Sequence, residues 1–238
     1  MAPELLTIGC DPELVCRRNG RFTSARDYFK FSSSMGLDGN EEIAEIRPGY
    51  STSPVDLTAK IRTVLEYGHE QNPDLEFYAG HYVDSYPIGG HIHLGVEASN
   101  DIIDGLDIVL SSLSNIIDDN EQVIKRRETG YGKKKAFNNK LYGLEYRTPG
   151  SFLISPTITL ITFTLAKLTV VAITEDGINF SELKGEDHPF IFLSKFRSYL
   201  KTIPEDCEAG LDALEELLSK EEQVNWDENI LPNWGLVA

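Results

Sequence analysis

The sequence predicts an α+β protein in which a curved antiparallel β-sheet forms the active-site face and helices pack on its outer side. Two observations support this fold class. Short segments of alternating polar and apolar residues recur, and Asn19-Gly20 between two of them is a strong hairpin signal. Longer segments with apolar residues at three- and four-residue spacing predict helices at 53–68 and 100–120. The 238 residues suffice for one large domain.

The composition argues against several classes of protein. The net charge is −16, so we expect no general nucleic-acid binding and no binding to anionic membranes, because both need Lys and Arg. Three cysteines are few and odd in number, which argues against a disulfide framework and for a reducing compartment. We see no signal-peptide pattern, and the apolar run 158–173 is too short and polar to span a membrane. These features predict a cytoplasmic protein.

The first predicted strands carry carboxylates. Asp11 and Glu13 are two residues apart in an extended segment and therefore share a face. Two carboxylates held this close repel each other, and a divalent cation would relieve the repulsion. An ordinary solvated strand edge explains the pattern equally well.

A second pair follows a glycine-rich loop at 36–40. Glu45 and Arg47 share a face of the short strand predicted after this loop. Asp38 and Glu42 place further carboxylates close to this pair in sequence. This segment therefore offers several candidate oxygen ligands.

A helix is predicted to begin at Ser53, because a serine followed by a proline is typical of a helix N-terminus. It is predicted to end at Gly68. A strand is predicted at 75–79, followed by a loop at 81–87. Further helices are predicted at 100–120, 155–173, 187–200 and 204–220.

The segment GGHIHLG at 89–95 gives the third pair. His91 and His93 project from the same face of a strand, while Ile92 and Leu94 face the core. The flanking glycines allow a ligand to approach closely. Two imidazoles on one face favour a metal or phosphate site, and two surface histidines are the alternative.

A segment rich in Lys and Arg follows at 125–147, and we call it the cationic segment. Its glycines, Gly130 and Gly132, predict a loop that becomes partly ordered when a ligand binds. In an acidic chain it favours a compact anion site, with nucleotide phosphates as the natural candidate, although a solvated surface loop is the alternative. It holds eight of the 22 basic residues: Lys125, Arg126, Arg127, Lys133, Lys134, Lys135, Lys140 and Arg147.

A fourth pair, Glu145 and Arg147, lies on the strand predicted in LEYRTP. If the four strands belong to one sheet, their polar pairs form a single concave surface. Oxygen ligands with an imidazole favour Mg²⁺ or Mn²⁺ over Zn²⁺. Arginines among the acids indicate an anionic substrate, as in phosphoryl transfer.

The order of these motifs resembles the glutamine synthetase and glutamate–cysteine ligase superfamily, and within it the phage-type carboxylate–amine ligases, the amidoligase type 2 family. CDPELV resembles the first acidic strand, GGHIHLG the Gly-x-His-x-His strand, and LEYRTPGSFLISP the Glu-x-Arg strand with its helix-opening loop. The resemblance covers about residues 9–172. It implies a glutamine synthetase-like catalytic domain at 1–200, with an acidic helical extension at 201–238 packed on the same domain.

The resemblance also implies roles for single residues. Asp-Pro-Glu replaces two glutamates of the family pattern, so Asp11 departs from that pattern, and Asp38 and Glu42 are alternatives to Glu45. The implied metal ligands are Asp11, Glu13, Glu45, His91 and Glu145. The implied catalytic residues are Arg147, which would bind the transferred phosphate, His93 and Arg47. The implied nucleotide-binding residues are Arg126, Arg127, Lys134 and His93.

The activity implied by the resemblance is ATP- and Mg²⁺-dependent formation of an amide through an acylphosphate, in the host cytoplasm if the protein is phage-encoded. The carboxylate and amine substrates, small molecules or peptides, stay open, as does the oligomeric state. One rival is a phosphotransferase of the same fold that forms no amide. Another is a cupin-like metal enzyme, since His91-x-His93 followed by Glu97 has the opening spacing of the cupin metal motif, although no second histidine motif follows. A third is a catalytically silent binding protein.

Overall fold

The structure is a computed structural model that describes residues 6–220 and 224–237. Within these ranges the chain forms twelve short strands and six α-helices, in the order six strands, α1, four strands, α2, α3, two strands, α4, α5 and α6. Every pairing between these strands is antiparallel. The predicted α+β fold class with antiparallel sheets is therefore confirmed.

The central sheet has five strands, in the spatial order β11-β12-β10-β1-β6. The register pairs His93 with Gly9 on one side and with Glu145 on the other. Paired residues point to the same face, so His93 and Glu145 line one surface, while Ile92 and Leu94 are fully buried behind it. The strands are β1 Ile8–Cys10, β6 Tyr50–Ser51, β10 Ile92–Leu94, β11 Phe137–Lys140 and β12 Gly143–Tyr146.

The second sheet has the order β3-β2-β5-β4, and a further strand, β7, also pairs with β2. The predicted hairpin is confirmed: Asn19 and Gly20 both have positive φ, of 53° and 69°, as a type I′ turn requires. The strands are β2 Glu13–Arg18, β3 Arg21–Thr23, β4 Met35–Leu37, β5 Ala44–Ile46 and β7 Leu75–Tyr78.

The sequence suggested that the four polar pairs lie on one sheet, but in the structure they are divided between two sheets. The segment between β1 and β2 joins them, because the amides of Asp11 and Glu13 donate to the carbonyls of His91 and Gly89, at 3.3 and 2.9 Å. These bonds continue the β1–β10 pairing past the strand ends. The two sheets therefore meet at the residues that carry the carboxylates and imidazoles.

Two predicted loops contain strands. The first part of the glycine-rich loop at 36–40 belongs to β4, because the Met35–Leu37 backbone pairs with β5. The loop at 81–87 contains a small hairpin of β8 Tyr82–Val83 and β9 Tyr86–Pro87. Short strands of two or three residues carry too little alternation to be recognised in a sequence.

Three of the helices, α1, α2 and α4, begin at serine caps, as predicted for the first of them. Ser53, Ser99 and Ser155 each accept a hydrogen bond from the amide three residues ahead. The helix predicted at 100–120 ends earlier, and Asp119 caps a separate helix, so part of the predicted cationic loop is helical. The helices are α1 Pro54–Gln71, α2 Asn100–Ile117, α3 Asn120–Glu128, α4 Pro156–Asp176, α5 Pro189–Tyr199 and α6 Glu205–Ser219.

The buried helix α4 is central to the core. With 21 residues it is longer than predicted, and by length and composition it is apolar enough to span a membrane, so the expectation that it is too short and polar was wrong. In the structure 78% of its most apolar stretch is buried, against α1, α2 and α6. The same core takes in four side chains near the C-terminus: Trp226, Ile230, Leu231 and Trp234.

Candidate active site

Three predicted ligands meet where the two sheets join. Asp11, His91 and Glu145 each offer an atom within 4.8 Å of the others, and we call them the acidic trio. His91 Nδ1 lies 3.2 Å from Asp11 Oδ1 and 3.7 Å from Glu145 Oε1. Asp11 follows β1, His91 precedes β10 and Glu145 lies on β12, so three adjacent strands of the central sheet supply the atoms.

Glu145 is the most completely satisfied carboxylate of the trio. Only 1% of its side chain is exposed, and Lys140 Nζ lies 2.6 Å from its Oε2. Asn138 donates to the same oxygen at 3.1 Å, and Arg147 pairs with Oε1. Burial raises the pKa of Glu145, but the bonds from Lys140, Asn138 and Arg147 together outweigh burial and lower it. Glu145 is therefore held as a carboxylate.

Glu13 lies beside the trio and uses both of its oxygens. Its Oε2 accepts the Gly89 amide at 2.6 Å, and its Oε1 accepts the Tyr131 hydroxyl at 2.6 Å. Tyr131 Oη is also 2.9 Å from His91 Nε2. Burial raises the pKa of Glu13, although His91 and the bonds from Tyr131 and Gly89 oppose the shift. Burial and Glu13 also raise the pKa of Tyr131, which therefore keeps its proton.

Sequence reasoning missed Tyr131, Asn138 and Lys140 as parts of this site. Lys140 was noted only as one of many basic residues. The signal for Tyr131 was a tyrosine flanked by glycines within the cationic segment. Asn138 and Lys140 lie on β11, whose pairing with β12 aligns Asn138 with Glu145.

Glu45 and Arg47 face the site from the second sheet. Glu45 is the cross-strand partner of Glu13, and its Oε1 lies 2.6 Å from Arg47 Nε. Burial and Asp11 raise the pKa of Glu45 to about 8; Arg47 lowers it, and Asp38 adds to the rise. Arg47 also donates to three backbone carbonyls of the preceding segment. Glu45 lies outside the acidic trio.

A cavity of about 610 Å³ opens beside the trio, on the face of the central sheet that carries His93. Asp11, Arg47 and His93 contribute its polar groups, and the rings of Tyr50 and Tyr142 line it. His93 Nε2 lies 3.2 Å from Asp11 Oδ1, and the His93 ring centroid is 5.3 Å from that of Tyr142. A cavity of this size with few polar groups is typical of a small-molecule site.

Comparison with known families shows which family this chain belongs to. A model of the Phage phiEco32-like COOH.NH2 ligase-type 2 family matches residues 8–236. The chain belongs to this family. The match spans every residue of the acidic trio and its surroundings, and it confirms the resemblance to the phage-type carboxylate–amine ligases.

Other comparisons add less about the ligase. No curated protein matches its sequence significantly. A solved structure titled "Crystal structure of novel glutamine synthase homolog" is similar, with 11% sequence identity and a TM-score of 0.46. The similarity covers 98% of this chain and 71% of that chain.

The predicted nucleotide-binding residues of the ligase do not form one patch. Arg126 is 1% exposed and donates to the carbonyls of Thr148 and Pro149, each at 2.7 Å. Arg127 is half-buried and lines a separate cavity, whereas Lys134 is exposed. Arg126, Arg127 and Lys134 thus differ in exposure and in the groups around them. The roles of Arg126, Arg127 and Lys134 toward a nucleotide stay predictions.

Proposed function

We propose that this ligase joins a carboxylate to an amine in an ATP-dependent reaction that passes through an acylphosphate. Membership of a COOH.NH2 ligase family gives the reaction class. The observation that supports the ATP-dependent mechanism is the acidic trio, which is bordered by Lys140 and Arg147 and reaches a cavity of about 610 Å³ through Asp11. Phosphoryl transfer requires carboxylates that hold a metal ion and, beside them, cationic side chains that stabilise the charge of the transferring phosphoryl group.

The trio fits a divalent cation. Two carboxylates and one imidazole are ligands suited to Mg²⁺ or Mn²⁺. Asp11 Oδ1 is buried without a hydrogen-bond partner among the described residues, because its contacts with His91 and His93 lack hydrogen-bond geometry. A bound cation neutralises phosphate oxygens that would otherwise repel a carboxylate. Glu13 and Glu45, whose pKa values are raised, are the proposed ligands of a further ion beside the trio.

The side chains around the trio have separate tasks in this proposal. Arg147 and Lys140 stabilise the negative charge of the transferring phosphoryl group. His93 contacts the nucleotide phosphates, and Tyr50 and Tyr142 hold the base in the cavity. Arg47, which also lines the cavity, binds the substrate carboxylate. Arg127 and Lys134 do not line this cavity, so a role for them toward the nucleotide stays a prediction.

The reaction balances as two displacements. A carboxylate oxygen attacks the γ-phosphorus, the bond to the β-phosphate oxygen breaks, and ADP leaves. The amine nitrogen then attacks the acyl carbon and loses a proton, while the acyl carbon–oxygen bond breaks and releases phosphate. One oxygen of that phosphate comes from the substrate carboxylate.

The first test measures nucleotide binding. Isothermal titration with a non-hydrolysable ATP analogue should show binding that requires Mg²⁺. Glu145→Gln should weaken it at least tenfold, whereas Glu97→Gln, an exposed acid near the same sheet, should leave it unchanged. Absence of binding under every metal condition would contradict the proposal.

The second test follows oxygen atoms. Carboxylates screened for ADP release are resynthesised with ¹⁸O in the carboxyl group. Transfer of ¹⁸O into inorganic phosphate together with an amide product supports the acylphosphate. A stable phosphorylated product without amide would indicate the phosphotransferase instead.

The wider setting is also part of the proposal. Cys10, Cys16 and Cys207 are buried free thiols, which suits the cytoplasm, where ATP is supplied. The substrates are small molecules or peptides that carry a carboxylate and an amine. Residues 1–200 would form the catalytic domain and 201–238 a helical extension packed on it.

A further inference from the structure

The His91 ring is held by one hydrogen bond. Within residues 6–220 and 224–237, its only hydrogen-bond contact is that of Nε2 with Tyr131 Oη, at 2.9 Å. Its other nitrogen, Nδ1, faces Asp11 Oδ1 and Glu145 Oε1 without hydrogen-bond geometry. The ring therefore presents one nitrogen to Tyr131 and the other to the two carboxylates of the trio.

The hydroxyl proton of Tyr131 is used in a hydrogen bond to Glu13. The Tyr131 hydroxyl donates to Glu13 Oε1 at 2.6 Å, and the Gly89 amide donates to Glu13 Oε2 at 2.6 Å. A hydroxyl has one proton, so at His91 the Tyr131 oxygen can act only as an acceptor. Nε2 of His91 must then carry a proton, whether or not Nδ1 is protonated as well when no metal is bound. The order of donors is Gly89 to Glu13, Tyr131 to Glu13, and His91 to Tyr131.

Tyr131 is itself fixed. Its ring lies edge-on to His91, with centroids 5.9 Å apart, and the Arg126 guanidinium lies 4.9 Å above it. Arg126 is held by the carbonyls of Thr148 and Pro149. The buried arginine of the cationic segment thus supports the tyrosine rather than reaching solvent.

We infer that Tyr131 is a positioning residue that fixes the Nε2–H tautomer of His91 and so leaves the Nδ1 lone pair directed at the cation site of the trio. The partner of a ligating histidine's second nitrogen selects which nitrogen binds metal. In this arrangement Glu13 acts through Tyr131 rather than binding the trio's own cation. The inference rests on the proposed function in one respect, namely that His91 is a cation ligand.

The test reads the tautomer directly in the metal-free protein. Long-range ¹⁵N–¹H spectra separate Nδ1–H from Nε2–H histidine, and a His91→Gln variant assigns the signal among the five histidines. The wild type should show Nε2–H. Tyr131→Phe, which keeps the ring but removes the hydroxyl, should lose this single tautomer. Tyr67→Phe, at an exposed position on α1, is the matched control and should not change it.

Mn²⁺ binding, followed by electron paramagnetic resonance, is the second readout. Tyr131→Phe should bind Mn²⁺ about 10- to 100-fold more weakly than the wild type, while Tyr67→Phe should not differ. An Nδ1–H tautomer in the wild type would overturn the inference, and this needs no variant to fold. An unchanged tautomer in Tyr131→Phe would overturn it as well. If the wild type shows Nε2–H but binds no Mn²⁺, the proposed metal role fails while the tautomer assignment stands.

Discussion

Buried carboxylates dominate the site at the scale of single residues. Glu13 and Glu45 are direct partners across β2 and β5, and like charges in that position destabilise a sheet. Glu13 relieves its charge through two hydrogen bonds, from Gly89 and Tyr131. Glu45 has Arg47 but remains close to Asp11, which together with burial explains why its pKa is raised to about 8.

The raised pKa of Glu45 predicts a pH-dependent stability. The usual pKa is 4.5, so between about pH 4.5 and 8 the unfolded chain releases a proton that the folded protein keeps. The contribution of Glu45 to the free energy of unfolding therefore falls as the pH rises through this window and is constant above it. Urea unfolding in EDTA at a series of pH values gives the slope of the free energy of unfolding against pH. Glu45→Gln should make this slope less steep between about pH 4.5 and 8.

Glu70→Gln, an exposed acid on α1, is the control for this pH dependence and should unfold with the wild-type slope. Equal slopes for the wild type and Glu45→Gln would contradict the prediction.

Gly89 is required by a close approach. A Cβ at this position would lie 2.6 Å from His91 Nε2 and 3.1 Å from Tyr131 Oη. Gly89→Ala should push the His91 ring away from Tyr131 and weaken Mn²⁺ binding roughly tenfold, as measured by electron paramagnetic resonance. Gly39→Ala, where a Cβ meets no atom within 4 Å, should bind like the wild type. A folded Gly89→Ala variant with unchanged affinity would disprove the steric argument.

At the scale of elements, the helix starts illustrate local sequence control. A serine followed by proline opens both α1 and α4, and in each case the serine hydroxyl accepts a backbone amide. The cap of α4 matters most, because this helix contacts three other helices.

Removal of the α4 cap should have a measurable cost. Ser155 Oγ accepts the Ile158 amide at 3.2 Å, and Ser155→Ala leaves that amide without this partner. We expect a loss of about 1 kcal/mol in the free energy of unfolding, measured with urea. Ser219→Ala removes an exposed serine at the end of α6 and should change stability by less than about 0.5 kcal/mol. Equal stability of Ser155→Ala and the wild type would exclude a capping role.

At the scale of the whole molecule, an ion pair between α4 and α6 connects distant parts of the chain. Lys167 of α4 is fully buried, and its Nζ lies 2.9 and 2.7 Å from the two carboxylate oxygens of Asp206 in α6. The same nitrogen donates to the Thr52 carbonyl at 2.9 Å. Helices α4 and α6 are thus linked to the chain segment directly after β6, whose Tyr50 lines the cavity.

Breaking this pair should destabilise the protein strongly. Asp206→Asn leaves the Lys167 ammonium uncompensated, and we expect a loss of roughly 3 kcal/mol, at the lower end for buried pairs because Asp206 is 29% exposed. The double variant Lys167→Met/Asp206→Leu should recover most of this loss, since no charge is then buried. Urea unfolding measures both. A stable Asp206→Asn variant would contradict the argument.

The sequence by itself determined the local features of this protein. Alternation assigned the faces of the strands that carry His93 and Glu145, the Asn19-Gly20 dipeptide gave the hairpin, and Ser53 marked the start of α1. These features depend on neighbouring residues, so they can be recognised in a short stretch of chain. The motif order also indicated the family that residues 8–236 match.

Only the tertiary structure decided which side chains meet. Alternation shows the face of a strand but not its neighbours, so it could not show that Asp11, His91 and Glu145 converge while Glu45 stays outside the trio. It could not show that the buried Arg126 lies against the Tyr131 ring, or that Tyr131 contacts both Glu13 and His91. These contacts join residues far apart in the chain, and they exist because strand pairing and loop packing bring those residues together.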